Sequence, residues 1–394
     1  MVLRKQYLEK LRKTQGSKII KVITGVRRCG KSTLLMQFQE ELKKSGIAGD
    51  QIISINFEDI ANKRLLDYLK LYDYLMACLK PGKKTYVFLD EIQNVQQFQR
   101  AVDSLYIQPD VDVYLTGSNA GLLSGELATL LSGRYIEISM LPLSFAEYHE
   151  LIGGDKRDTW NSYYHKGGFP FAATIEDEEI WRDYMLGIYH TVLLKDIVAR
   201  KGISDVALLE SVAGFLFDNI GSIVSSKRIA DSLTSDGRKT TSITVENYIG
   251  ALTESFILYK AGRYNIKGKQ HLKSLEKYYL VDIGLRRMLL GDSAADVGHV
   301  LENIVYLELI RRGFQVKIGK FGELEIDFVA FKGNDRRYYQ VAASVLDPVT
   351  FAREIAPLKS VKDNYPKSIL SLDELPMEEE GIKQIRIMDF LLQG

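Results

Sequence analysis

The chain has 394 residues, 46% of them hydrophobic, which is enough for two to four domains with sizeable cores. Its formal net charge of +1 gives no overall field toward nucleic acid or anionic membrane, so any basic surface must be local. Two cysteines, Cys29 and Cys78, are too few for a disulfide scaffold and fit a reducing, cytoplasmic setting. No apolar run approaches 18 residues, and Met1 to Lys13 lacks the apolar centre of a signal peptide, so neither a spanning helix nor a leader is expected.

The N-terminal stretch alternates charges with Leu and Tyr and reads as an amphipathic helix packed on the domain that it precedes. Strand patterns then fall at 19–23, 52–57, 86–90, 111–116 and 135–138, with helical patterns between them. This alternation predicts a parallel sheet covered on both faces over residues 1–145. Between the first strand and its helix lies Gly25-Val26-Arg27-Arg28-Cys29-Gly30-Lys31-Ser32-Thr33, the phosphate-loop pattern G-x-x-x-x-G-K-[ST]. Such a loop points backbone N–H groups inward, and the helix dipole adds positive potential. Lys31 would reach the β- and γ-phosphates of ATP, and Ser32 would hold Mg²⁺. Arg27 and Arg28 lie within the loop with no assigned role. Cys29 is placed so that its oxidation would block nucleotide.

Tyr86-Val-Phe-Leu-Asp90-Glu91 is a buried strand ending in two carboxylates. Open α/β sheets bind ligands at that edge. Asp90 would join the Mg²⁺ shell, and Glu91 would orient and deprotonate the attacking water. The strand at 111–116 runs into Gly117-Ser118-Asn119, where Asn119, and more weakly Ser118, would sense the γ-phosphate. Arg134, in Ser132-Gly133-Arg134, is either a surface arginine or a group approaching the γ-phosphate of its own or a neighbouring subunit.

Residues 146–204 are mostly helical, broken at Lys166-Gly167-Gly168-Phe169-Pro170, and predict a helical lid with ATP between it and the sheet edge. The run Tyr189 to Arg200 reads as a packing helix, with a lesser alternative that Lys195 or Arg200 meets the nucleotide. Residues 205–290 give three helices and a two-stranded ribbon, a winged helix-turn-helix pattern with Ser242 as the third helix's N-cap. The third helix carries Glu246 and Glu254. The cations gather in the wing: Lys260, Arg263, Lys267, Lys269, Lys273 and Lys277. They suit DNA phosphates, giving affinity without base choice. A protein contact or an ATPase lid is the competing use.

Residues 291–394 predict a second, smaller α/β unit. A helix carrying Glu302, a strand carrying Glu325 and Asp327, and a strand with Gln340 and Ala342 resemble the core of restriction-endonuclease-like nucleases. In that core the third strand supplies an acid and, two residues on, a lysine. Gln340 and Ala342 stand there instead, and neither is a good Mg²⁺ ligand or charge stabiliser. A docking module that kept the fold is therefore preferred to an active nuclease.

Taken in order, GVRRCGKST, VFLDEIQ, LTGSN, LSGRY, LPLSFAEY, GGFP, TVLLKDIV and GELEIDFVA with YYQVA resemble one family across nearly the whole chain. They are similar to the AAA-type, archaeal-ATPase-like P-loop proteins that end in a restriction-endonuclease-like domain. The resemblance implies an AAA core, a winged-helix module and a degenerate nuclease-like end. It carries Lys31, Ser32, Asp90, Glu91 and Asn119 to nucleotide and Mg²⁺ roles, and Arg134 less firmly to a sensor or finger role. The reading is an Mg²⁺-dependent ATPase acting as a switch or remodeller, with oligomerisation required if Arg134 acts on a neighbour. The alternatives are an ATP-gated DNA-binding regulator and, last, a metal-dependent nuclease.

Overall fold

The computed structural model describes residues 2–120, 131, 133–291 and 297–393, without the side chains of residues 195 and 271–274. The predicted roles of Ser132, Lys195 and Lys273 fall outside these described groups. The chain divides into one unit of Met1–Met140 with Glu254–Phe256 and another of Leu141–Thr253 with Ile257–Gly394.

In the first unit, helix α1 (Lys5–Thr14) turns Tyr7, Leu8 and Leu11 inward. Strand β1 (Ile20–Thr24) leads to α2 (Lys31–Lys44), and β2 (Ile52–Asn56) to α3 (Tyr68–Cys78). Strand β3 (Thr85–Asp90), α4 (Phe98–Ile107), β4 (Val111–Gly117) and β5 (Tyr135–Ser139) complete the unit. All five strands are parallel, in the order β2-β3-β4-β1-β5. β1 and β3 are buried at every position, as strands covered by helices on both faces must be. The five predicted strands each lie within one residue of the observed ends.

Lys21 interrupts the apolar run of β1. Its buried ammonium is ion-paired to Asp112, whose other oxygen accepts from Tyr114 Oη at 2.8 Å and from Gly16 N at 2.8 Å. Burial lowers the Lys21 pKa in spite of that partner.

The second unit opens with helices α5 (Phe145–Ile152), α6 (Lys156–Lys166) and α7 (Glu178–His190). Ser144 and Glu147 form a reciprocal cap on α5: Ser144 Oγ accepts from Glu147 N at 3.1 Å, and Ser144 N donates to Glu147 Oε2 at 2.9 Å. Beyond α7 the chain is not an ordinary packing helix. Thr191–Val198 is wound as a π-helix. Then come α8 (Val206–Asp218), β6 (Ile223–Val224), α9 (Ser226–Ser235) and α10 (Ser242–Glu254). Thr241, not Ser242, caps α10, its hydroxyl accepting from Thr244 N at 3.2 Å.

The ribbon β7 (Leu258–Asn265) and β8 (Gln270–Leu280) is longer than the pattern implied, because beyond a bulge after Ala261 residues 263–265 pair with 270–272. Helices α11 (Ile283–Leu290) and α12 (Val297–Arg311) lead to β9 (Gln315–Phe321), β10 (Leu324–Lys332) and β11 (Asp335–Val341), an antiparallel meander. Helix α13 (Pro348–Ser360) crosses to β12 (Lys367–Ser371), followed by β13 (Glu378–Glu379), β14 (Ile382–Arg386) and α14 (Ile387–Leu392). The ribbon belongs to the same sheet as these strands: the order is β13-β14-β12-β11-β10-β9-β7-β8-β6. Lys277, counted from the sequence among the wing cations, is buried within this unit.

One buried carboxylate ties two separated segments together. Asp282 caps α11 through Gly284 N at 2.8 Å and accepts from Gly168 N at 2.5 Å. A side chain on Gly167 would collide with Asp282, on Gly168 with the Leu143 carbonyl, and on Gly284 with the Lys166 carbonyl. The glycines are thus set by close approach of backbone and carboxylate.

Burial pushes the Asp282 carboxyl up to about 7, although backbone N–H groups of Gly168, Gly284, Leu285 and Phe169 oppose it. Between its ordinary 3.8 and about 7 the folded chain holds a proton that the unfolded chain has lost. The contribution favours folding fully below about pH 4 and declines as pH rises to about 7. At about 1.4 kcal/mol per pH unit the decline totals roughly 4 kcal/mol. Urea unfolding of the second unit, followed across pH 4–8, is expected to show this slope, and Asp282→Asn to flatten it.

Candidate nucleotide site

The phosphate loop begins where β1 ends. Gly25 has φ 147° and Gly30 φ 106°, both in the region that favours glycine. Met140 N donates to Thr24 O at 2.7 Å, which draws the Met140 carbonyl so near that a Cβ on Gly25 would lie 2.1 Å from its oxygen. Gly30 caps α2, so the first N–H groups of that helix face the loop. Arg28, exposed, has φ 67°, and Arg27 is turned to Glu58 at 2.6 Å.

Lys31 is buried and folds back over its own loop. Its Nζ donates to Gly25 O at 3.0 Å and Val26 O at 3.2 Å, and lies 3.4 Å from Glu91 Oε1. Ser32 lies close enough to Asp90 for its hydroxyl to favour the ionised carboxyl. Asp90 Oδ1 also accepts from Thr116 Oγ1 at 2.5 Å, and that hydroxyl in turn accepts from Glu91 N at 2.8 Å. Glu91 has φ 54°, and its Oε2 accepts from Ser118 Oγ at 3.0 Å and from Gln93 Nε2. β4 emerges between β3 and β1, which is why Ser118 reaches Glu91 and why Asn119 is buried at the same edge.

The two carboxyls are pushed in opposite directions. Burial raises Asp90, and Glu91's charge adds to it against the hydrogen bonds from Thr116 and Ser32. Burial also works against ionised Glu91, but Lys31, Gln93, Arg27 and Ser118 outweigh it and hold the carboxyl below its usual range. Glu91 is therefore a carboxylate at neutral pH. The Ser32 hydroxyl and the Asp90 carboxylate supply the hard oxygens Mg²⁺ takes.

Arg134 is not brought to this edge. It precedes β5, and Ile20 N donates to its carbonyl at 2.9 Å, so it sits where the parallel strands begin. The phosphate loop starts where they end, about 17 Å away along five residues of strand. The Arg134 guanidinium is paired with Asp103 and lies 5.2 Å from the Tyr106 ring centre. That placement removes it from the γ-phosphate of its own chain. Cys29 is fully buried, and burial raises its thiol, which disfavours the reactive thiolate that oxidation requires. Four contributors escaped the sequence reading. Thr116 and Gln93 orient the acids. Arg4 braces the loop by donating to Cys29 O at 3.0 Å, and Gln37 accepts from Arg4 N at 3.5 Å. Thr116 stood in the LTGSN motif; for Arg4 nothing local marks a long-range support.

Known proteins resemble this chain in sequence and in fold. Residues 17–149 match the AAA domain family, and residues 157–296 match a domain of unknown function, DUF8612. An uncharacterized protein of Haemophilus influenzae is 40% identical, covering 100% of this chain and 99% of its own. One of Methanocaldococcus jannaschii is 30% identical over 94% of this chain and 85% of its own. The chain belongs to this family of AAA-domain proteins. The Walker-type ATPase of Pyrococcus abyssi shares the fold at 14% identity and a TM-score of 0.52, over 73% of this chain and 96% of that one. The first unit is thus a P-loop NTPase core of AAA type.

Gly25→Ala is expected to displace the loop from the Met140 carbonyl while leaving the sheet intact. A cost of about 1.4 kcal/mol in the bound state is tenfold in Kd. Titration with a fluorescent ATP analogue, beside an unchanged far-ultraviolet circular dichroism spectrum, should show at least about that loss.

Proposed function

We propose that the chain binds ATP with Mg²⁺ and hydrolyses it, working as a conformational switch or remodeller. The observation that carries this is the convergence of Lys31, Ser32, Asp90 and Glu91 at one sheet edge, with Lys31 Nζ 3.4 Å from Glu91 Oε1 and Ser32 beside Asp90. Loop and helix N–H groups receive the β- and γ-phosphates. Lys31 leaves the carbonyls of Gly25 and Val26 for phosphate oxygens, so it moves from a neutral partner to a charged one. Bound Mg²⁺, held by Ser32 and Asp90, would neutralise charge building on the phosphates.

Lys31 also shields Glu91 Oε1 in the present arrangement, while Ser118 and Gln93 hold Oε2. A triphosphate competes for that ammonium, which frees Oε1 to accept a proton from the attacking water. Asn119, buried beside them, is assigned to the γ-phosphate or the water. Catalysis of this kind is mostly positioning and electrostatics. Lys31→Ala is expected to abolish nucleotide binding. Glu91→Gln should keep binding and lose hydrolysis, measured as phosphate release; wild-type turnover in that variant would reject the assigned role.

A second reading concerns the three helices and ribbon at 205–290, which we propose form a winged helix-turn-helix that touches DNA phosphates. Lys267 and Lys269 favour it, because both are exposed at the ribbon's turn. Two other wing cations contribute less: Lys260 is paired with Glu276 at 2.8 Å, and Lys277 is buried. Arg263 is half-buried. Binding should therefore be weak, indifferent to base sequence and steeply salt-dependent. Reversing Lys267 and Lys269 to Glu is expected to weaken duplex affinity and flatten the log–log salt slope by about two. Unchanged duplex binding by fluorescence anisotropy would make the wing a protein contact.

A further inference from the structure

Three elements of the second unit bring acids to one point. Glu302 comes from α12, Glu325 and Asp327 from β10, and Glu354 from α13; Gln340 of β11 lies among them. Around them the chain runs helix, three-stranded meander, crossover helix and parallel strand, the order in which a nuclease-like core would gather ligands for a divalent cation. The residues present do not fit such an ion. Among the described residues, no group of three or more Asp, Glu, His or Cys is disposed to hold a metal.

The reason is visible atom by atom. Lys277, reaching in from β8 of the ribbon, sets its Nζ 3.0 Å from Glu302 Oε1 and 3.0 Å from Glu325 Oε1. Tyr279 Oη donates to the same Glu302 oxygen at 2.5 Å. Asp327 Oδ2 accepts from Val341 N at 2.8 Å. Gln340 accepts weakly from Asp327 N at 3.4 Å and donates from Nε2 to Glu354 Oε2 at 2.9 Å. Glu354 Oε1 is taken by Arg353 at 2.8 Å. An acid at position 340 could not donate to Glu354, so the amide suits the cluster as it stands. An ammonium at 3.0 Å satisfies two carboxylates, whereas Mg²⁺ demands oxygens at about 2.1 Å in an octahedron. Burial works against the charged lysine, but Glu302, Asp327 and Glu325 together raise its affinity for the proton well above normal. The cation is therefore permanent at any physiological pH.

We propose that Lys277 is a tethered cation standing in the place of a divalent ion, that it closes this acid cluster to metal, and that removing its ammonium opens the cluster to one Mn²⁺. Without Lys277, Glu302 and Glu325 lose their shared counterion, and two partly buried carboxylates seek another. The competing idea, that the cluster already works as a metal site, predicts the opposite order of affinities.

Full-length, nucleotide-free protein titrated with Mn²⁺ and read by electron paramagnetic resonance separates the two. Wild type and Asp327→Asn should bind Mn²⁺ equally. Lys277→Ala should bind one ion more than wild type, at least about tenfold tighter than any background, and Lys277→Ala/Asp327→Asn should lose it. Mn²⁺ binding by wild type that Asp327→Asn abolishes, or no added ion in Lys277→Ala, would overturn the proposal. Should Lys277→Ala fail to fold, refolding in Mn²⁺ reads the same site: recovery that the double variant lacks supports it, and no recovery overturns it.

Discussion

A lysine ammonium out of water must be met by oxygen, and what meets it decides what it does. Three lysines, Lys21, Lys31 and Lys277, are buried among the described residues, and each has a different answer. Lys21 has a single carboxylate, Asp112, inside a sheet, and burial still lowers its pKa. Lys277 faces Glu302, Glu325 and Asp327, and its pKa is raised. Lys31 is held by two backbone carbonyls and touches one carboxylate at 3.4 Å. Only the last stands at the sheet edge beside the first N–H groups of a helix. A polyanion is the ligand that such an arrangement lacks. The other two lysines are paired to carboxylates among packed strands and helices and hold structure.

The strand pattern of the first unit was legible because each strand is mostly apolar and its turns are local. The order of those strands was not, since no local signal says that β5 lies beside β1. Arg134 shows the consequence. Its sequence setting resembled that of Ser118 and Asn119, but those follow their strand and Arg134 precedes its own. In a parallel sheet that difference alone sends it to the far edge. Lys277 escaped for a related reason. Its neighbours in sequence are wing cations, while its partners are 25 and 48 residues away on α12 and β10. Thr241 capping α10 is a smaller case of the same kind, a one-residue ambiguity that only geometry resolves.

The motifs LPLSFAEY and GGFP, which looked most peculiar to this family, carry no reacting group. Leu143, Gly168 and Asp282 explain them: a backbone carbonyl and a buried carboxylate pass so close that neither Gly167 nor Gly168 tolerates a side chain. Ser144 and Glu147 then fix the start of α5. What reads as a signature is a packing knot joining residues 141–148, 166–170 and 282–284. Motif strength in sequence is thus a poor guide to chemistry when the constraint is steric.

The ribbon gives the second unit its mechanical character. β7 pairs with β9 in parallel, from Arg263↔Ile318 to Asn265↔Lys320, so the ribbon continues the sheet of the C-terminal strands. Lys277 then crosses from β8 to α12 and β10, and Asn303 Nδ2 donates to Leu280 O at 2.9 Å while its Oδ1 accepts from Leu280 N at 2.7 Å. A boundary near residue 290 therefore separates modules in sequence but not in the sheet. Bending the ribbon away would break backbone pairing and strand Glu302 with its charge unmet, each costly in a buried setting. Within this unit the ribbon and the acid cluster are joined twice, through the strand pairing of β7 with β9 and through Lys277.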